Sequence, residues 1–346
     1  MAAAPQPAGV RVFITSAYAD AEPITAFRTA AASDKYGRHR VTDNPAEADL
    51  ILFIENSHYK DDPFFKKLKN HPLVRQYPDK VFMYNPHDLP WLVLPGLYAC
   101  MRARLFDPAH VAACSYIEKI NDFIRCDFGT EPTHLYSFYG NLRMPVRREL
   151  GQLHHPRGIV KSWTSGLYRD DKPKAPQLEY ADLLADSKFI LCPRGIGTSS
   201  ARLFETMQAG RVPVIISDDW VRPRGPAWDE LAVFVPESQV AEIPRLLEQA
   251  EARWPEMARR SRAAWEEFFA PDAIFHYFVE QLVALQHVGK GMKLALTLYH
   301  GAQFSKYYFR AKVLQRAKRF VKRYFRSGAE QPVKSQVAAA ACQAPA

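Results

Sequence analysis

Arg194 and Arg202 bracket a short turn holding Gly195, Gly197, Thr198, Ser199 and Ser200, and the acids Glu205, Asp218 and Asp219 follow soon after. Each residue type has a task in binding a diphosphate. A forked guanidinium meets phosphate oxygens through two parallel hydrogen bonds. Glycines let the backbone approach an anion closely, and a helix N-terminus offers free amides and partial positive charge. Thr198, Ser199 and Ser200 stand where they cap such a helix. Glu205, one turn beyond Arg202, is placed to accept hydrogen bonds from a ribose. Singly, these parts have plainer readings: glycines serve turns, two aspartates end a strand, and Arg202 with Glu205 makes a surface pair worth ~0.2–0.5 kcal/mol. Their concentration in one segment favours a nucleoside-diphosphate cradle.

The elements around the turn are equally legible. In "FILCPRGIGTSSARLFETMQAGRVPVIISDDW" (189–220) an apolar run, a glycine-bearing turn, a helical stretch and a second apolar run follow one another. Apolar runs at 135–140, 158–163, 189–192, 212–217 and 232–235 predict five strands. The stretches "MPVRRELGQL", "YADLLADS", "ARLFETMQAG" and "VAEIPRLLEQAEARW" predict the helices between them. In the first half, 10–15, 48–55 and 80–85 read as buried parallel strands, with helices expected at "PFFKKLKNH" and "AHVAACSYIEKINDFI". Alternating strands and helices predict a doubly wound α/β sheet with its ligand beyond the carboxyl ends of the strands. Residues 255–286 read as helix returning across both halves.

A dinucleotide fold competes for the same residues. Gly195-Ile-Gly197 followed by Ser200 approaches G-x-G-x-x-G, and Asp218 falls where a ribose-binding acid would sit. The third glycine is lost, however, and Pro193-Arg194 intrudes before the first. An arginine beside the diphosphate suits a group that gains negative charge in a transition state. An NAD(P)-dependent oxidoreductase therefore ranks below a transferase.

The stretch "FILCPRGIGTSSARLFETMQAGRVPVIISDDWVRPRG" closely resembles the exostosin family of inverting glycosyltransferases, and the likeness extends more weakly from "YSFYGN" to about residue 285. The matching positions are Pro193, Arg194, Gly195, Ser200, Arg202, Glu205, Gly210, Pro213, Asp218, Asp219 and Trp220. Arg222 stands where the family pattern has leucine. The resemblance implies a GT-B architecture, two facing Rossmann-like domains with parallel sheets. On that reading residues 1–130 form the acceptor-side domain, 131–286 the nucleotide-sugar domain with a return helix, and 287–346 a basic helical tail with a disordered end. It implies transfer from a nucleotide sugar, UDP-sugar favoured, to a glycan or lipid-linked glycan. A binding module without turnover is the alternative.

Within that frame Arg194, Arg202 and the helix amides stabilise the leaving diphosphate. Gly140, ending a predicted strand, lets its backbone approach the same phosphates. Arg147, on the next helix, is either a third cation of the set or, the simpler reading, part of a solvated helix face. Inversion requires a base on the opposite side of the sugar. Glu55, His58, His87 and Asp88 follow predicted strands of the first half, and Glu55 and Asp88 are the candidates. Asp218 and Asp219 are adjacent rather than spaced as D-x-D, and arginines already supply charge, so no essential metal is expected. These aspartates are assigned to donor hydroxyls or to a turn, and Trp220 to packing, with donor stacking as the lesser option.

Composition sets the outer limits. Five widely spaced cysteines with no CxxC pair signal neither zinc nor a disulfide framework. The first residues lack a charged leader with an apolar run. Together these predict a cytoplasmic protein. The net charge is +9, yet eleven Lys or Arg and no acid fall between His287 and Ser327, leaving about −2 for the rest. Across 306–326, Phe309, Val313, Ala317, Phe320 and Tyr324 share one helical face, with Lys312, Arg316, Arg319, Arg323 and Arg326 opposite. This pattern suits an anionic membrane surface on the inner face of a membrane. A helix docked on the catalytic body is the competing reading. No nucleic-acid recognition motif accompanies the charge.

Overall fold

The structure is a computed structural model. It describes residues 9–286 except 19–20, 56–61, 63, 89, 118–120 and 164–173, and beyond them Phe309, Val313 and Ala317. The chain divides into two units, Met1–Thr297 and Leu298–Ala346, and the fold below is that of the first. Most of the predicted tail helix lies outside the described residues. Phe309, Val313 and Ala317 are exposed.

The first half runs β1 (Arg11–Thr15), α1 (Ala21–Ala32), β2 (Arg40–Val41), β3 (Leu50–Ile54), α2 (Lys66–Lys69), α3 (Pro72–Gln76), β4 (Val81–Asn85), β5 (Gly96–Tyr98) and β6 (Val111–Ala113). The second half runs β7 (His134–Gly140), α4 (Pro145–Leu150), β8 (Gly158–Ser162), α5 (Ala175–Ala185), β9 (Ser187–Pro193), α6 (Ala201–Gln208) and β10 (Val212–Ile216). It continues with α7 (Trp228–Leu231), β11 (Val233–Phe234), α8 (Ile243–Ala250), α9 (Trp254–Ala264) and α10 (Ile274–Gln286). Two sheets result, ordered β2-β1-β3-β4-β5-β6 and β11-β10-β9-β7-β8. Every strand pair within them is parallel. These are the two parallel-sheet α/β domains that the resemblance implies.

Hydrophobic patterning explains the central strands. β3, β4 and β10 are buried at all five positions, as strands covered on both faces must be. One expectation fails within the first half. The segment from Ala109 to Ile124, read as a helix, contains strand β6 at the sheet edge. Its apolar spacing fits a helix, but pairing with β5 decides the outcome.

The chain crosses between halves twice. After β6 it reaches β7, and Arg211 fastens this crossing. Its guanidinium is buried and donates to the carbonyls of Asp127, Gly210 and Ala185. After α9 the helix widens into a π turn over Trp265–Phe269, and Pro271 lies in the break before α10. α10 then packs on the first sheet. Phe278 lies 5.7 Å from Phe27 and 5.5 Å from Tyr84. Tyr277 Oη still reaches the carbonyl of Arg224 in the second half, at 2.6 Å. The return across both halves is present, in two helices rather than one.

Candidate functional site

The order of the second sheet reverses at β7, whose neighbours β8 and β9 lead away in opposite directions. The crevice at such a point lies beyond the carboxyl ends of the strands. Gly140 ends β7 there, and Arg194 follows the last residue of β9. Two guanidiniums converge on it, from α6 and from α4. Arg202 Nη2 donates to the carbonyl of Tyr139 at 2.7 Å, and its guanidinium sits 4.6 Å from the Phe138 ring centroid. Its Nε is buried with no partner among the described residues. Gly140 is required by this packing, because a Cβ there would stand 2.7 Å from Arg202 Nη2.

Arg147 is the second cation. Its Nε donates to the carbonyl of Arg194 at 3.0 Å and its Nη2 to that of Pro193 at 3.3 Å. Burial first, and then the nearby Arg202, bring its pKa down to about 10. Two cations held together at this cost make a site that favours an anion. The solvated-face reading of Arg147 is corrected: Pro145 opens α4 just past Gly140, so the first turn of that helix points into the crevice.

Arg194 is placed differently from Arg202. Its Nε donates to Glu237 Oε1 at 2.6 Å, which raises its pKa. Glu237 also accepts the Asp218 N–H at 3.3 Å, and Asp218 Oδ1 accepts the Glu237 N–H at 2.9 Å. Arg194, Asp218 and Glu237 thus brace the outer side of the loop. Ser200 stands at the N-cap of α6, as expected, but its side chain makes no capping bond. Glu205 is buried and accepts the Tyr180 hydroxyl at 2.6 Å. Trp220 is a packing residue, its ring 5.1 Å from that of Trp228.

A strip of the first half closes over this loop. Thr198 Oγ1 donates to the carbonyl of Met101 at 3.3 Å, and the Ala103 N–H to that of Asp219 at 2.8 Å. Arg102 and Trp220 form an antiparallel bridge, and Arg104 lies 3.5 Å from the Asp219 carboxylate. Asp88 comes close to the loop at Gly197, where a Cβ would stand 2.8 Å from Asp88 Oδ1. Asp88 keeps solvent access on one side. Crowding around its carboxylate raises its pKa, offset in part by the Gly197 backbone and by Arg147.

The two base candidates therefore part company. Glu55 is fully buried and its carboxylate oxygens accept from Ser16 Oγ at 3.1 Å and the Ala17 N–H at 2.8 Å. It is directed into its own half, whereas Asp88 lies against the 195–200 loop at Gly197. His87 is partly buried, its N–H on Asn85 Oδ1 at 2.8 Å. His58 lies outside the described residues. Sequence reasoning missed the strip Cys100–Arg104, which carries no motif, and Tyr180 as the partner of Glu205.

Among the described residues one cluster has metal-ligand composition, namely His39, His276 and Glu280. His39 Nδ1 accepts the Val10 N–H, so its Nε2 carries the proton and meets Glu280 at 2.7 Å. Arg38 also contacts Glu280, at 3.0 Å. A proton and a guanidinium occupy the ligand side of this cluster, which ties α10 to the loop before β2.

Residues 106–250, which contain the whole crevice from Gly140 to Asp219, match the Exostosin GT47 domain. The chain is 37% identical over 102 residues to an exostosin-1 homolog of Caenorhabditis elegans, covering 28% of this chain and 27% of that protein. It is 43% identical over 74 residues to the probable glucuronosyltransferase GUT1 of Oryza sativa subsp. japonica, covering 21% and 18%. Among solved structures, Anabaena HepE in complex with UDP aligns with a TM-score of 0.37 and 12% identity, covering 80% of this chain and 100% of that one. The chain covers about a quarter or less of these two curated relatives. Residues 106–250 are thus similar to the Exostosin GT47 domain, and the stretch 189–225 that resembles the exostosin family lies within them.

Proposed function

We propose that the protein is an inverting glycosyltransferase that moves a sugar from a nucleoside-diphosphate sugar, with UDP favoured, to a glycan or lipid-linked glycan. The observation that carries this reading is the convergence of Arg147 and Arg202 at the switch point of the second sheet, with a buried Arg202 Nε–H awaiting an acceptor. Negative charge collects on the leaving diphosphate as the sugar bond breaks. Arg202, Arg147 and the amides of the 195–199 loop hold that charge in a partly desolvated crevice, where such stabilisation is strongest. Gly140 keeps the backbone low enough for the phosphates to reach both arginines. Asp88, from the opposite half, takes the acceptor proton on the face away from the leaving group. Glu205, with Tyr180 orienting its carboxylate, serves the ribose hydroxyls. Asp218, Asp219 and Arg194 shape the loop around the sugar.

The relative named a probable glucuronosyltransferase supports a sugar-transfer reading without fixing the sugar. The same proposal puts the enzyme in the cytoplasm, held to an anionic inner membrane face by 306–326. The exposure of Phe309 and Val313 supports that attachment. No helix among the described residues is long and apolar enough to cross a membrane.

A thermal-shift panel of UDP- and GDP-sugars, followed by transfer and hydrolysis assays, tests the function. UDP-sugars should raise the melting temperature, and turnover should persist in excess EDTA because arginines and amides neutralise the diphosphate. Activity lost on chelation and restored by manganese or magnesium would move Asp218 and Asp219 to a metal-binding role. Binding without turnover would leave the protein a nucleotide-binding module.

A further inference from the structure

Trp163, the first residue past β8, has no part in the site described so far. It stands across the end of β7 from Arg202. Ser162 pairs with Gly140 in the register of the sheet, and the Trp163 N–H donates to the Gly140 carbonyl at 3.0 Å. Arg202 takes the preceding carbonyl, that of Tyr139, from α6. The two side chains thus flank one strand end, from β8 and from the helix that follows β9. Each carries a buried N–H with no acceptor among the described residues, the indole Nε1–H of Trp163 and Nε–H of Arg202. An indole nitrogen can only donate, and a buried donor left unpaired is costly. A row of rings links the pair. Trp163 meets Tyr139 edge to face at 6.0 Å, Tyr139 lies 6.2 Å from Tyr180, and the Tyr180 hydroxyl donates to Glu205. The Tyr139 hydroxyl is likewise committed, to Glu179, which leaves the Trp163 indole as the open donor at the far end of the row.

We infer that Trp163 reads the nucleobase of the donor: its Nε1–H donates to the carbonyl on the far edge of a pyrimidine and so selects uracil over cytosine. This rests on the donor-site reading above. With the phosphates at Arg202 and Arg147 and the ribose at Glu205, the base extends along the row away from α6, toward β8. Uracil O2 lies beside the bond to the ribose, whereas O4 is on the far edge, where a residue at the end of the row meets it. Uracil presents an acceptor there. Cytosine presents an amino group, so two donors would face each other where water does not intervene. Such a mismatch discriminates more strongly than a difference in shape, because the buried polar group stays unpaired. Trp163 touches the base and not the reacting atoms, so its effect falls on the choice of donor.

The test is calorimetric titration of UDP, CDP and inorganic pyrophosphate into the full chain, for wild type and Trp163→Phe, which keeps an aromatic ring and removes the N–H. Wild type should bind UDP at least tenfold more tightly than CDP. The variant should lose about tenfold in UDP affinity, the effect of one hydrogen bond, so that the preference for UDP over CDP falls to near unity. Pyrophosphate affinity should be the same in both proteins. Wild type that binds CDP as tightly as UDP overturns the inference, whatever the fate of the variant. So does a folded variant that keeps the UDP preference, or one that loses pyrophosphate binding as well, which would assign Trp163 to packing beneath Gly140. In these cases the donor reading stands. A wild type that binds neither UDP nor pyrophosphate overturns the donor reading and this inference with it.

Discussion

Arg202 Nε–H is a buried donor without an acceptor among the described residues, a condition that costs ~1–3 kcal/mol. A phosphate oxygen would meet that demand. Arg202→Ala should therefore weaken UDP binding by at least ~1.5–3 kcal/mol, the range for a hydrogen bond to a charged group, and abolish transfer. The melting temperature should change little, since the side chain is only partly buried. Unchanged UDP affinity in a folded variant would remove Arg202 from the site. At this scale the sequence was informative where chemistry is local. Gly195 and Gly197 in a turn, Arg202 in the first turn of α6 and Gly140 at the end of β7 hold places that any reading of anion sites would single out. Arg147 was ambiguous because a helix of six residues has too little periodicity to show which face is buried. Its contacts with Pro193 and Arg194 join positions far apart in the chain. Nothing in residues 88 or 100–104 announces that they meet 197–220.

Three elements meet at Glu251, which accepts from Arg157 at the entry to β8 and from Lys188 of β9. The hydrogen bond from Arg157, and then that from Lys188, brings its pKa from 4.5 to about 2. The folded state thus binds its proton more weakly than the unfolded chain does. The pair stabilises the fold fully above pH 4.5, and the contribution is lost as pH falls toward 2. Its size is about 2 kcal/mol after allowance for solvent screening at the partly exposed Arg157. Glu251→Gln should lower stability by that amount at neutral pH, with wild type and variant converging in acid. Denaturant melts across pH decide it, and parallel curves would refute the assignment. Longer elements were legible in sequence: all five strands of the second sheet were expected near their observed positions. β2, β5 and β6, of two or three residues each, are too short for alternation to register. Their pairing with neighbours makes them strands.

At the scale of the molecule, charge is segregated: eleven basic residues between His287 and Ser327 face a remainder near neutrality. Truncation before residue 287 should abolish binding to anionic vesicles and leave UDP affinity intact, because the crevice lies between Gly140 and Asp219. Binding by the full chain should weaken with salt, since each basic residue near such a surface contributes ~1 kcal/mol that ions screen. A truncated protein that is insoluble or loses UDP binding would instead assign the segment to the folded body. The two-sheet architecture was readable from alternation of strands and helices alone. The strip that closes one half over the other was not, because it depends on how two independently legible sheets meet.

The return of α10 also bears on how the chain can be divided. The helix that packs on Tyr84 of the first sheet and on Phe27 of α1 is encoded after the entire second sheet. The first module is therefore discontinuous, with the second inserted between its last strand and its last helix. A fragment ending between the sheets lacks its own lid and bares an apolar face. The matched segment 106–250 likewise omits the helix that completes its neighbour. Neither can be grafted as a contiguous cassette, so moving the second sheet and its helices into another first module must exchange an internal segment and keep both ends of the host.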